Sequence, residues 1–185
     1  MHISLNNKYY FIDKFDSNKI QKQNKQTIII YRNYSSKKLD EKVILKIKNY
    51  CKKKKLKLFL SNNIKLALKL KLNGVYIPSF NNNLSHLNYS FTKNFKIIGS
   101  AHNLEEIKIK EKQGCKEIFI SPIFYNPKND YFLEIVKFNS LNLATKINTI
   151  ALGGVNEKNL RKLRSTKVIG FAGISWIKKN RPKIN

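Results

Sequence analysis

The chain has 185 residues, of which 42% are hydrophobic and 11% aromatic, and its formal net charge is +26. This length suits a single domain, and this apolar content excludes a globally disordered chain. No stretch approaches the ~18 apolar residues of a membrane span. The first residues contain no basic region followed by an apolar run. We therefore expect a cytoplasmic protein that has no signal peptide and does not enter a membrane.

The positive charge is carried almost entirely by lysines, which are spread along the whole chain and are densest at Lys52–Lys55. Base readout relies on arginine, and no aromatic-plus-basic motif of an RNA-binding fold is present. The arginines are Arg32, Arg161, Arg164 and Arg181. We expect no sequence-specific nucleic-acid partner, and only weak, salt-sensitive attraction to phosphate polymers.

The cysteines are Cys51 and Cys115. They lack the CxxC spacing and the nearby histidines of a zinc site, and two cysteines do not make a disulfide framework. We expect two reduced thiols near helix ends.

Eight short apolar runs recur along the chain at spacings of roughly 20 to 30 residues, as in repeated βα units. Most do not alternate between apolar and polar residues, which favours parallel strands buried on both faces. The runs are Tyr9–Ile12, Thr27–Tyr31, Leu56–Leu60, Gly74–Ile77, Lys96–Gly99, Glu117–Ile120, Thr149–Leu152 and Val168–Ala172.

Helical patterns lie between these runs. An apolar stripe from Ile64 to Leu72 predicts a helix that ends at Asn73-Gly74. Asn103 and Glu106 have the spacing of a capping box, which predicts a helix that runs to Gly114. The Asn-rich stretch 81–94 is expected to be mostly loop.

Eight alternating strands and helices predict an α/β fold, a single small (β/α)₈ TIM barrel over residues 1–177. Residues 178–185 form a basic tail. The chain is shorter than the ~200 residues usual at the lower end for this fold. An open, doubly wound sheet is the alternative architecture.

A barrel of this kind carries its active site at the C-terminal ends of the strands. Gly153 and Gly154 follow the seventh strand, and Gly173, Ile174 and Ser175 follow the eighth. Glycines let backbone N–H groups approach an anion closely, so the two loops predict a phosphate site.

His102 follows the fifth strand, where a histidine can orient a substrate or transfer a proton. A histidine that only holds the loop backbone by hydrogen bonds is an equal alternative, and the sequence leaves both open.

Six segments, read in order, resemble the thiamine phosphate synthase and thiazole tautomerase family. The resemblance covers roughly residues 8 to 177 and implies the same barrel fold. It also implies a transferase of thiamine biosynthesis, which joins a pyrimidine methyl diphosphate to a thiazole phosphate and releases pyrophosphate. The segments are Arg32, Leu60–Asn62 with Ile64–Ala67, Ile98–Glu106, Ile120–Lys128, Ala151–Val155 and Ala172–Ser175.

The resemblance also implies roles for single residues. Arg32 would stabilise the departing diphosphate. The final lysine of the family's loop after the sixth strand falls on Asn129, so the adjacent Lys128 would have to take its place, and His102 is a further catalytic candidate. Asn126 and Ser100 would contact the substrates beside the glycine loops. The expected partners are therefore small phosphorylated molecules, while the oligomeric state stays open.

The first of the family's magnesium ligands falls on Asn62 and the second falls near Asn81. An amide oxygen is a far poorer Mg²⁺ ligand than a carboxylate, so the implied magnesium site is weak. A glutamine and a lysine of the family fall on Ile30 and Tyr34. The half of the site that would hold the pyrimidine diphosphate therefore departs from the family pattern, whereas the half for the thiazole phosphate is preserved.

Three activities remain after these departures. The first, which we favour, is a synthase with an altered diphosphate site. The second is a thiazole tautomerase, although its catalytic histidine falls on Pro122, so His102 would have to replace it. The third is a non-catalytic barrel that binds a thiazole or another phosphate.

Overall fold

The computed structural model describes residues 7–35, 39–127 and 130–172. Eight parallel strands follow one another around a closed barrel, in which β8 pairs with β1. The predicted (β/α)₈ barrel is confirmed, and the closing pair excludes the open sheet. The strands are β1 Asn7–Ile12, β2 Thr27–Tyr31, β3 Lys57–Ser61, β4 Gly74–Ile77, β5 Lys96–Ala101, β6 Glu117–Ile120, β7 Asn148–Leu152 and β8 Gly170–Ala172.

The helices surround the barrel and several are short, which accounts for the small size of the domain. In the fourth unit the stretch 81–94 is mostly loop, as predicted, and a 3₁₀ turn, Ser85–Asn88, stands where an α-helix would be. No helix in the described ranges is long and apolar enough to cross a bilayer. The helices are α1 Ser17–Gln21, α2 Glu41–Lys53, α3 Ile64–Lys69, α4 Leu104–Lys112, α5 Glu134–Leu143 and α6 Glu157–Leu160, followed by a 3₁₀ turn, Arg161–Ser165.

Aromatic rings fill the inside of the barrel. Phe119 is fully buried, and its ring centroid lies 4.9 Å from that of Tyr9, 5.8 Å from Phe11 and 5.7 Å from Tyr76. Such edge-to-face pairs add to the free energy gained by burial. The interior is therefore a packed core, and a substrate can bind only at an end of the barrel.

The N-terminal end of the barrel is closed by a buried carboxylate. Glu117 is 1% exposed, accepts a hydrogen bond from the Tyr9 hydroxyl and forms an ion pair with Lys96. A buried charge of this kind needs such partners to offset its desolvation. The opposite, C-terminal end remains for the functional site.

The predicted end of α3 is wrong. The helix ends at Lys69, and the side-chain oxygen of Asn73 instead accepts a hydrogen bond from the Leu58 N–H at 2.8 Å. Gly74 is the first residue of β4, where a β-carbon would lie 2.1 Å from the Lys96 carbonyl oxygen. Close packing of neighbouring strands, rather than a helix stop, requires this glycine.

The start of α4 differs in detail from a capping box. Asn103 Oδ1 accepts a hydrogen bond from the Glu106 N–H at 2.9 Å, as predicted. The Glu106 carboxylate accepts its bond from the His102 N–H at 2.6 Å. α4 then ends at Lys112, close to Gly114, whose φ is +72°. The sequence pattern predicted the helix, whereas the tertiary structure determined which backbone N–H pairs with the Glu106 carboxylate.

Candidate active site

Arg32 is a half-buried cation at the C-terminal end of the barrel. It directly follows β2, and its backbone N–H donates to the Ile12 carbonyl at 2.7 Å. Its guanidinium carbon lies 4.6 Å from the Phe11 ring centroid and 5.7 Å from that of Tyr34. No carboxylate within the described ranges pairs with it. The two rings orient the guanidinium, and its positive charge is available to interact with an anion.

Tyr76 and Ser100 form a buried hydroxyl pair beside Arg32. The Tyr76 hydroxyl donates to Ser100 Oγ at 2.8 Å, and both residues are less than 5% exposed. Burial raises the pKa of Tyr76 to about 12, against the opposing effects of Ser100 and Arg32. Tyr76 is therefore a neutral hydrogen-bond donor at neutral pH and not a base.

Asn62 and Asn81 are brought together across the ends of β3 and β4. Asn81 Nδ2 donates to Asn62 Oδ1 at 2.6 Å. Asn62 has a φ of +59°, a conformation that asparagine tolerates better than most residues, and its N–H donates to the Tyr76 carbonyl at 2.8 Å. The two predicted metal positions thus lie side by side.

This pair does not fit a magnesium ion. Mg²⁺ binds oxygen ligands and favours carboxylates, whereas here both amide oxygens already accept protein hydrogen bonds, Asn62 Oδ1 from Asn81 and Asn81 Oδ1 from the Asn83 N–H at 2.8 Å. No group of three or more His, Cys, Asp or Glu residues suited to a metal occurs among the described residues.

Aromatic side chains border the same part of the barrel end. The Tyr34 hydroxyl and Ser61 Oγ lie 3.0 Å apart, and the Tyr34 ring centroid is 5.7 Å from that of Phe80. Tyr34 is 52% exposed and Phe80 64% exposed. Ser61 and Phe80 were not among the predicted site residues. The sequence signal that could have identified them is their position at, or just after, the ends of β3 and β4.

His102 is exposed at the end of β5 and reaches the loop after β6. Its Nδ1 lies 2.7 Å from the Ser121 carbonyl oxygen, which can only accept, so Nδ1 carries a proton. Nε2 is then the ring atom left to exchange a proton. The observed bond fits a loop anchor, while a catalytic role of Nε2 stays a prediction.

Gly153 and Gly154 form a tight loop after β7, with φ values of +89° and +70°. The Phe124 N–H donates to the Gly153 carbonyl at 3.2 Å, so this loop packs on the one after β6. The N–H groups of Gly153, Gly154 and Val155 have no acceptor in the described part of the chain. Adjacent free N–H groups are suited to a phosphate.

The remaining predicted residues are only partly covered by the structure. Asn126 is half-buried in the loop after β6, on the same end of the barrel. The others, Lys128, Gly173, Ile174 and Ser175, lie outside the described residues. Their predicted roles, and the basic tail 178–185, stay predictions.

The fold is a small (β/α)₈ barrel whose C-terminal end carries Arg32 and the glycine loop 153–154. The family model for thiamine monophosphate synthase matches residues 18–177. The chain belongs to this family.

Two relatives named thiamine-phosphate synthase are similar over different lengths. That of Clostridium acetobutylicum is 30% identical over 136 residues, which cover 72% of this chain and 64% of the relative. That of Prochlorococcus marinus strain SARG is 41% identical over 85 residues, 44% of this chain. The match spans 25% of the Prochlorococcus protein, so this chain corresponds to part of the relatives' length.

Solved structures share the fold. Thiamine phosphate pyrophosphorylase from Pyrococcus furiosus superimposes with a TM-score of 0.73 at 20% identity, covering 92% of this chain and 86% of that one. FabK from Thermotoga maritima reaches 0.71 at 10% identity, covering 95% of this chain and 60% of that one. Proteins with different names share this barrel, so the fold alone does not assign a reaction.

Proposed function

We propose that the protein is a thiamine phosphate synthase, which joins a pyrimidine methyl diphosphate to a thiazole phosphate and releases pyrophosphate. The observation that carries this proposal is that Arg32 and the glycine loop 153–154, two candidate anion-binding elements, lie at the same end of the barrel. Within the described ranges, Arg32 has no carboxylate partner and the N–H groups of Gly153 and Gly154 have no acceptor. Two phosphorylated substrates need two such elements. The family membership supports the same assignment.

In this reaction the bond to the diphosphate breaks early, so negative charge develops on the leaving group. In this proposal Arg32, whose guanidinium lies against the Phe11 and Tyr34 rings, stabilises that charge without first reorganising. The N–H groups of the loop 153–154 anchor the thiazole phosphate, which holds the nucleophile in line. Tyr76 stays protonated and donates its one hydroxyl hydrogen to Ser100 Oγ.

The proposal is tested by measuring pyrophosphate release from the two precursors with the whole chain, in EDTA and with Mg²⁺. We expect turnover, and we expect Arg32→Ala to lower kcat by about 10²–10³, as for removal of one charge-stabilising donor. Thiazole phosphate binding should be unchanged in Arg32→Ala, because that phosphate uses the other loop. Arg32→Lys keeps the charge but loses the planar guanidinium, so its kcat should lie between those of the wild type and Arg32→Ala.

The same assay separates the two alternatives. Wild-type protein that releases no pyrophosphate under either condition, yet binds thiazole phosphate, is a binding protein. The tautomerase alternative has one observation in its favour, since His102 Nδ1 contacts the carbonyl of Ser121, next to Pro122. Isomerisation of the thiazole that is lost in His102→Gln would favour it over the synthase.

A further inference from the structure

The Asn62–Asn81 pair offers nitrogen, rather than oxygen, to a ligand. The backbone N–H of Asn83 donates to Asn81 Oδ1, which fixes that amide with Nδ2 towards Asn62. Asn62 must then turn Oδ1 towards Asn81, because two NH₂ groups would repel each other. Nδ2 of Asn62 is left without an acceptor in the described part of the chain. An exposed NH₂ group of this kind donates to an anion.

Two carboxylates at these positions would need a cation or a shared proton between them, since like charges in contact are destabilising. Two amides satisfy each other directly at 2.6 Å and need no cation. The backbone of Asn81 is also fixed, because its carbonyl accepts from Lys110 Nζ at 2.7 Å and from Gln113 Nε2 at 2.9 Å. The pair is therefore formed by the protein alone.

From these contacts we propose that the protein binds the diphosphate end of its substrate without a metal ion, through the Arg32 guanidinium and the Nδ2 group of Asn62. The neutral amide pair removes the repulsion that a magnesium ion would otherwise have to offset, and Arg32 supplies the positive charge. The identity of the anion as a diphosphate rests on the proposed function. The metal independence rests on the amide geometry.

Inorganic pyrophosphate is the probe, titrated calorimetrically into the whole chain. Wild-type protein should bind it in EDTA, and adding Mg²⁺ should leave the affinity unchanged within about twofold or lower it. Arg32→Ala should weaken binding in EDTA by about tenfold or more. Wild-type protein that binds pyrophosphate more tightly with Mg²⁺, or that does not bind it under either condition, overturns the proposal.

The double variant Asn62→Asp/Asn81→Asp restores the acidic pair. It should lose affinity for pyrophosphate in EDTA by about tenfold or more and regain it when Mg²⁺ is added. Asn82→Asp is the matched control, because it adds a carboxylate to the same exposed loop outside the pair, and it should stay within about threefold of wild type. Thermal unfolding curves verify that each variant is folded. A double variant that binds as wild type does in EDTA contradicts the proposal.

Failure of this inference and failure of the proposed function give different results. Metal-independent binding of pyrophosphate without turnover of the two precursors leaves the inference standing and removes the synthase. Turnover that requires Mg²⁺ leaves the synthase standing and removes the inference.

Discussion

A β-carbon on Gly154 would lie 2.3 Å from the Phe124 carbonyl oxygen and 2.5 Å from that of Tyr125. The φ of +70° is also unfavourable for any residue with a side chain. The loop after β7 can therefore approach the loop after β6 only with glycine here. We expect Gly154→Ala to displace the two loops and to weaken binding of thiazole phosphate by about tenfold or more.

Gly114 is the matched control for this prediction. Its φ is +72°, but a β-carbon there would meet nothing within 4 Å. Gly114→Ala should lower the free energy of unfolding by about 1–2 kcal/mol, the cost of the left-handed conformation alone, and leave binding unchanged. Urea denaturation and calorimetry measure both quantities. Equal effects of the two substitutions on binding would remove the phosphate role of the loop.

At the scale of elements, α4 holds the long connection from β4 to β5 through a buried polar network. Lys110 is fully buried, and its ammonium donates to the Asn81 carbonyl and to Gln113 Oε1. Gln113 Nε2 donates to the carbonyls of Asn81 and Asn83, and the Gln113 carbonyl lies 2.9 Å from His86 Nε2. The connection from β4 to β5, which has no α-helix of its own, is therefore anchored by Lys110 of α4 and by Gln113, which directly follows that helix's last residue, Lys112.

Replacing Lys110 with Met keeps the buried chain length but removes a donor from the buried Gln113 Oε1 and from the half-buried Asn81 carbonyl. We expect Lys110→Met to lower the free energy of unfolding by about 1–3 kcal/mol. It should also weaken pyrophosphate binding, because the backbone of Asn81 loses an anchor. Lys108→Met is the control on the same helix, where an exposed ion pair with Glu111 is worth less than about 1 kcal/mol. Equal destabilisation by both would contradict the network's role.

At the scale of the whole molecule, the two buried thiols make the free energy of unfolding depend on pH in the alkaline range. Burial raises the pKa of Cys51 to about 11 and that of Cys115 to about 12, from an ordinary value of 9.0. A group whose pKa is higher in the folded state contributes stability that is complete below the unfolded pKa. That contribution is lost as the pH rises through the folded pKa.

We therefore expect the free energy of unfolding to fall from about pH 9 to about pH 11 for Cys51 and to about pH 12 for Cys115, by up to about 1.4 kcal/mol per pH unit for each thiol. Urea denaturation across this range measures the slope. The Cys51→Ala/Cys115→Ala variant is less stable throughout because of the cavities it creates, but its slope should be smaller. Identical slopes in the two proteins would refute this prediction.

The charge of the whole molecule leads to another expectation. With a net charge of +26, the protein should bind RNA weakly, and the affinity should fall steeply as salt increases. The test is to titrate the protein with RNAs of defined sequence, and with mismatched versions of the same RNAs, at several salt concentrations. Submicromolar binding to one sequence at physiological salt, with mismatches discriminated, would contradict the prediction.

The sequence alone determined most of the fold. The eight apolar runs coincide with the eight strands to within a few residues, because a strand buried on both faces must be apolar along its length. Closure followed from the number of βα units. The cap at Asn103 was readable as well, since it bonds to the N–H group three residues away.

The tertiary structure decided which polar groups meet. Asn62 and Asn81 are 19 residues apart, and Lys110 is 29 residues from the carbonyl it binds. Neither pairing has a local signal, because it depends on which strand ends and helices become neighbours when the barrel closes. Resemblance indicated that two carboxylates were replaced by amides. Only the folded chain shows that the amides bond to each other, because an amide takes its partner from whatever donor or acceptor lies within about 3 Å.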